Sequence, residues 1–109
     1  MVKLHCLADI CIIPIGTPTA SVSDYVTACV NYVAQSGVKY TLHSAGTTLE
    51  GEWDEVMQLI GELHELCHNE LEVVRVQTDI RVGTRIDKAQ TAADKVRVVK
   101  EKLEARNSQ

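Results

Sequence analysis

Residues 39–51 read KYTLHSAGTTLEG, and their place in the chain decides the fold. Two short runs with strand character, KYTLHS (39–44) and TTLEG (47–51), meet at Ala45–Gly46. Such a pair reads as a β-hairpin, although a turn with alanine first is a weaker signal than Asn-Gly. Strand alternation sends Leu42 and Leu49 toward a core and His43, Thr48 and Glu50 away from it.

Working outward, a helical pattern lies on each side of the hairpin. SVSDYVTACVNYVAQSG (21–37) places Val22, Val26, Cys29, Val30 and Val33 on one stripe. Ser21 with Asp24 fits a capping box, Ser23 competes as the cap, and Gly37 offers a left-handed stop. EWDEVMQLIGELHELCHNE (52–70) clusters Val56, Ile60, Leu63 and Cys67 on the centre of its inner face. Leu59 and Leu66 flank one side of that cluster, and Trp53 and His64 the other.

Beyond each helix lies a further strand. LHCLADICIIPIG (4–16) alternates Leu4, Cys6, Ala8, Ile10 and Ile12 against His5, Leu7, Asp9, Cys11 and Ile13. LEVVRVQTDIRVG (71–83) alternates Val74, Val76, Thr78, Ile80 and Val82 against Arg75, Gln77, Asp79 and Arg81. A last helix is expected over DKAQTAADKVRVVKEKLEAR (87–106), with Asp87 and Gln90 resembling a capping box. Its apolar stripe is Ala89, Ala92, Val96, Val99 and Leu103.

The order is βαββαβ followed by α. One hairpin between two crossover helices predicts an α+β, ferredoxin-like sandwich with an additional C-terminal helix, in which the first and third strands lie centrally. Residues 1–109 are expected to form a single domain. The two crossover helices cover one face of the sheet, and the other is bare in a monomer. Leu7, Cys11 and Ile13 on that bare face imply cover by another subunit. Asp9, His43 and Thr48 then either line a ligand site at the interface or simply pair across it.

Composition narrows the function. The net charge is −4 with no basic stripe, which argues against nucleic acid as a partner. No apolar run has the ~18 residues that a membrane span needs. The four cysteines contain no C-x-x-C pair and sit among apolar neighbours, as reduced thiols of a cytoplasmic protein do.

HELCH (64–68) matches H-E-x-x-H, in which two histidines one helical turn apart grip zinc and the glutamate activates water. A zinc-dependent hydrolase using His64, Glu65 and His68 is therefore an alternative. Against it, no histidine follows residue 68, and Glu65 lies opposite the core face. No metal site and no catalytic set is expected, and no cofactor.

Four stretches together resemble a known family: ADICIIPIGT (8–17), SVSDYV (21–26), GTTLEGEWDEVM (46–57) and TDIRVGTRIDKAQTAADKV (78–96). The chain is similar to the small thiamine-binding proteins of bacteria, archaea and fungi, related to the YkoF-like thiamine and hydroxymethylpyrimidine binders, and looks most like fungal members. The resemblance implies the ferredoxin-like fold and non-catalytic binding of thiamine or its pyrimidine half. It also implies a homotetramer, built as a dimer of dimers through sheet edges and sheet faces. Thr47, Thr48, Glu50 and Gly51 match its recurrent T-T/V-x-E-G stretch. Ser44-Ala45-Gly46 departs from the Pro-Met-Gly or Pro-Ser-Asn of relatives, so the ligand is open to differ.

Six residues make up the expected ligand-binding set. Ser44, Thr47 and Thr48 offer donors and acceptors to an aminopyrimidine; Asp9 or Glu50 offers a carboxylate to a thiazolium; His43 shares their face. A regulatory or structural oligomer with no small ligand is the third possibility.

Overall fold

The computed structural model describes residues 1–108. Its elements are β1 (His5–Ile15), α1 (Ser23–Ser36), β2 (Lys39–His43), β3 (Gly46–Glu52), α2 (Trp53–Asn69), β4 (Arg75–Thr84) and α3 (Ala92–Asn107). The four strands form one antiparallel sheet in the order β2-β3-β1-β4, so the two central strands are those the hairpin argument requires. β1 pairs with β3 only as far as Ile10, then runs on against β4 alone. That single-sided stretch accommodates Pro14, which has no amide proton to give to a second neighbour.

The core forms where the inner face of β1 meets α2. Cys6, Ala8 and Ile10 of β1, Leu49 of β3, and Val56, Leu59, Ile60, Leu63 and Cys67 of α2 are buried. α1 adds only Cys29 and Val33. The alternation of β1 and the wheel of α2 therefore hold residue by residue. Gly37 ends α1 at φ 85°, where a Cβ would be strained.

Several local expectations are corrected. α1 starts with Val22 at its N-cap and has no side-chain cap bond. The Ser21 carbonyl instead accepts from Thr19 Oγ1, and the Ser21 and Ser23 hydroxyls lie 3.3 Å apart. α3 is capped by Thr91 and Asp94, whose side chains and amides bond reciprocally at 3.0 Å. Asp87 and Gln90 cannot serve there, because Arg85 holds both, with Nε 2.7 Å from Asp87 Oδ1 and a terminal nitrogen 2.9 Å from Gln90 Oε1.

α3 buries none of its residues. Its stripe of Val96, Val99 and Leu103 is more than half exposed, at 54%, 56% and 52%. Leu42 shares the helix side of the sheet yet is also exposed, because β2 is an edge strand over which α1 does not close down.

Candidate functional site

The hairpin turn is fixed by close approach. A Cβ on Gly46 would lie 2.3 Å from the Ile10 carbonyl oxygen, so only glycine lets β3 start this close to β1. His43, opposite Gly46 at the end of β2, reaches sideways across this position. Its Nε2 lies 2.6 Å from Asp9 Oδ1, and the Ala45 amide donates to its Nδ1 at 3.3 Å. An Nδ1 that accepts leaves the ring proton on Nε2, so His43 donates to Asp9. The pair is partly solvated, with side chains 36% and 41% exposed, so it positions the turn more than it stabilises the fold.

Behind the turn, on the helix side of the sheet, is a cavity of about 290 Å³. Val22, Val26, Cys29 and Val30 of α1 form one wall. Ile10 and Ile12 of β1 and Leu63 of α2 form the floor, and residues 42–47 form the rim. The space exists because short side chains face one another: valines and a cysteine on the helix oppose Ala45, Gly46 and Thr47 on the hairpin. The α1 stripe read from the sequence thus does two jobs. Cys29 and Val33 are buried in the core and also reach the cavity, whereas Val22, Val26 and Val30 line it without being buried.

The polar residues on the cavity wall are His43, Ser44 and Thr47. Ser44 is exposed at the rim, and Thr47 is 7% exposed inside it. Cys29 Sγ lies 3.8 Å from Cys67 Sγ, and burial, then the neighbouring thiol, pushes the Cys29 pKa up to about 12. At neutral pH it is a protonated, soft wall group and no nucleophile.

The remaining expected residues lie on the opposite face. Asp9, Thr48 and Thr41 stand in one cross-strand row, continued by Arg81 of β4. Glu50 belongs to the next row, between Leu7 and Lys39. Its side chain is only 4% exposed, and Lys39 Nζ approaches it to 3.7 Å. The six residues thus divide into Ser44 and Thr47 at the cavity and Asp9, Thr48 and Glu50 on the sheet face, with His43 at the cavity rim and its ring turned to Asp9.

The two histidines of HELCH are engaged elsewhere. His64 Nε2 lies 2.7 Å from Thr78 Oγ1, and His68 Nδ1 lies 2.7 Å from the Val73 carbonyl, which makes that nitrogen a donor. Their ring centroids are 6.4 Å apart, and Glu65 points to solvent. Among the described residues, no group of three or more His, Cys, Asp or Glu is placed to hold a metal ion.

A family model described as thiamine-binding protein matches residues 8–100, nearly the whole fold. The chain belongs to the thiamine-binding protein family. It is 59% identical over 103 residues to the UPF0045 protein ECM15 of Eremothecium gossypii, covering 94% of this chain and 97% of that one. A UPF0045 protein of Synechocystis is 40% identical, with 93% and 82% covered. Among solved structures, a hypothetical protein of Methanocaldococcus jannaschii superposes with a TM-score of 0.79 at 32% identity, over 89% of this chain and 97% of that one. A candidate thiamine biosynthesis/salvage protein of Thermotoga maritima superposes at 0.71 with 20% identity, over 87% and 98%, which is a likeness of fold.

Within this family member, the matched segment spans the cavity wall and the hairpin alike. Sequence reading found the hairpin residues and placed Asp9, His43, Thr48 and Glu50 on the sheet face, but gave Ser44 and Thr47 no cavity to face. It missed the cavity and the wall residues Val22, Val26 and Val30. The available signal was size: a helix stripe of valines with no leucine or aromatic residue, facing a turn of Ala and Gly.

Proposed function

We propose that the protein binds a small heterocycle, thiamine or its hydroxymethylpyrimidine half, without catalysis and as a homotetramer in the cytoplasm. The observation that carries this reading is the cavity: a half-open, mainly apolar cleft with a few polar groups at one end, the form that small-ligand sites take. Membership of the thiamine-binding protein family supports the ligand class. At the cavity, Cys29 is held protonated and both His43 nitrogens are engaged, which favours binding over turnover there.

Two uncovered apolar surfaces support self-association. Leu7, Cys11 and Ile13 lie on the outer sheet face, and Val96, Val99 and Leu103 run along α3. Four free cysteines, three of them buried, suit a reducing compartment.

Calorimetry with thiamine, 4-amino-5-hydroxymethyl-2-methylpyrimidine and zinc tests the ligand, and light scattering after gel filtration tests the assembly. Saturable binding of one of the two organic compounds, by a particle of four chains, is the expected result. A stable monomer refutes the assembly. Stoichiometric zinc accompanied by hydrolytic activity refutes the binding role in favour of HELCH chemistry.

A further inference from the structure

We infer that His43 is a proton-operated clasp on the hairpin turn: its neutral ring holds Ser44 and Ala45 in place at the cavity rim, and its protonated ring releases them. The clasp is built from the chain's own groups and does not depend on what the cavity binds.

The ring is committed on both sides. Its Nε2 lies 2.6 Å from Asp9 Oδ1, and the Ala45 amide donates to Nδ1 at 3.3 Å. The second bond needs a lone pair on Nδ1, which the neutral ring has only when its proton sits on Nε2. A further proton must therefore go to Nδ1. Two N–H groups then face each other where a hydrogen bond stood, and that contact is lost. The same proton turns the Asp9 contact into a charge-assisted bond, which is the stronger kind. One bond of the ring tightens as the other breaks.

Which partner moves follows from how each is held. Asp9 sits within β1, paired with Thr48 on one side and Arg81 on the other. Gly46 stands against the Ile10 carbonyl oxygen, so the turn has no room to move inward. Ser44 and Ala45 are exposed turn residues, and the ring braces the second of them. Both line the cavity, so their release widens its mouth.

Few charges surround the ring. On the sheet face they are Asp9, Arg81 across from it on β4, Asp79 of β4 in the next row opposite the Cys11 thiol, and the Lys39–Glu50 pair of β2 and β3. On the cavity side, α1 and α2 bring only apolar side chains and the Cys29 thiol to the lining. Asp9 is the carboxylate in contact, so the protonated form of the clasp rests on it.

The test is NMR of the full-length, 15N-labelled protein titrated from pH 8 to pH 5, the range in which an imidazole gains its charge. The ring is expected to carry its proton on Nε2 at pH 8 and to be protonated on both nitrogens at pH 5. The Ala45 amide proton is expected to lose its hydrogen-bonded downfield shift along the same curve, and Ser44 to follow. The amides of Leu49 and Leu63, both buried, should not move, which separates release of the turn from unfolding. His43→Phe keeps a ring on the sheet face and removes both bonds, so the Ala45 amide should stay at its acid position throughout. Asp9→Asn removes the charge that favours the imidazolium and should move the ring and Ala45 midpoints together to lower pH. A neutral ring protonated on Nδ1, or an Ala45 amide that does not follow the ring, overturns the inference. So does an Ala45 amide that still titrates in His43→Phe, or a midpoint that Asp9→Asn leaves in place.

Discussion

Replacing Gly46 with alanine tests the close approach on which the hairpin and the cavity rim depend. The new Cβ would stand 2.3 Å from the Ile10 carbonyl oxygen and 3.2 Å from its carbon. An ordinary contact of this kind is about 3.3 Å or more, so the strands must part by about 1 Å. Both partners are backbone, and no side-chain rotation relieves the clash. Parting the strands there weakens roughly two ladder bonds, each worth a net 0.5–1.5 kcal/mol, on top of an overpacking strain of about 1–3 kcal/mol. The bonds are stretched and not lost, so the expected cost lies in the lower part of the summed range, about 2–4 kcal/mol. For a domain of this length that lowers Tm by on the order of 10–30 °C.

The internal control is Gly61→Ala, in the middle of α2, where a Cβ meets nothing within 4 Å. Helix propensity makes that change stabilising by about 0.5–1 kcal/mol. The assay is urea and thermal denaturation of both variants beside the unsubstituted protein, at one protein concentration, because self-association would make Tm depend on it. The reasoning fails if Gly46→Ala lies within about 0.5 kcal/mol of the parent, or if the two substitutions shift stability in the same direction.

Two further outcomes are expected. Leu63 is fully buried and also forms part of the cavity floor, so Leu63→Ala should lower the urea midpoint by the equivalent of about 2–5 kcal/mol with an unchanged slope; a loss under about 1 kcal/mol would contradict its placement. The hydrogen bonds from Arg85 hold the Asp87 carboxyl at a pKa of about 2, below its unperturbed 3.8, so their contribution is fully present above about pH 4 and is lost as pH falls through about 2. Carboxyl-carbon NMR should place the Asp87 midpoint near 2, and Arg85→Gln should return it toward the ordinary value; a midpoint that does not move disproves the clasp.

Elements governed by burial were legible in the sequence. β1 and α2 each have one face that must leave water, and their periodicity named Cys6, Ala8, Ile10, Val56, Ile60, Leu63 and Cys67 correctly. The starts of α1 and α3 were not legible, because capping depends on which side chain is free. Asp87 looked available until Arg85 was seen to hold it. The hairpin was also readable, but the two sides of its site were not. Alternation tells which way a strand residue points, and it does not tell whether the helix above closes down or leaves a gap. That depends on the summed lengths of Val22, Val26 and Val30 against Ala45 and Gly46.

α3 has a different kind of consequence. Its helix is maintained locally, by the Thr91–Asp94 cap and by Arg97 bridging Asp94 and Glu101, and the body gives it no burial. Isolated helices of this length are marginal in water, so α3 is the segment most ready to melt on its own while the sheet stays intact. Selection can therefore edit the two parts independently. Changes on β1 and α2 put the fold at risk, whereas changes along Val96, Val99 and Leu103 alter only the company the molecule keeps.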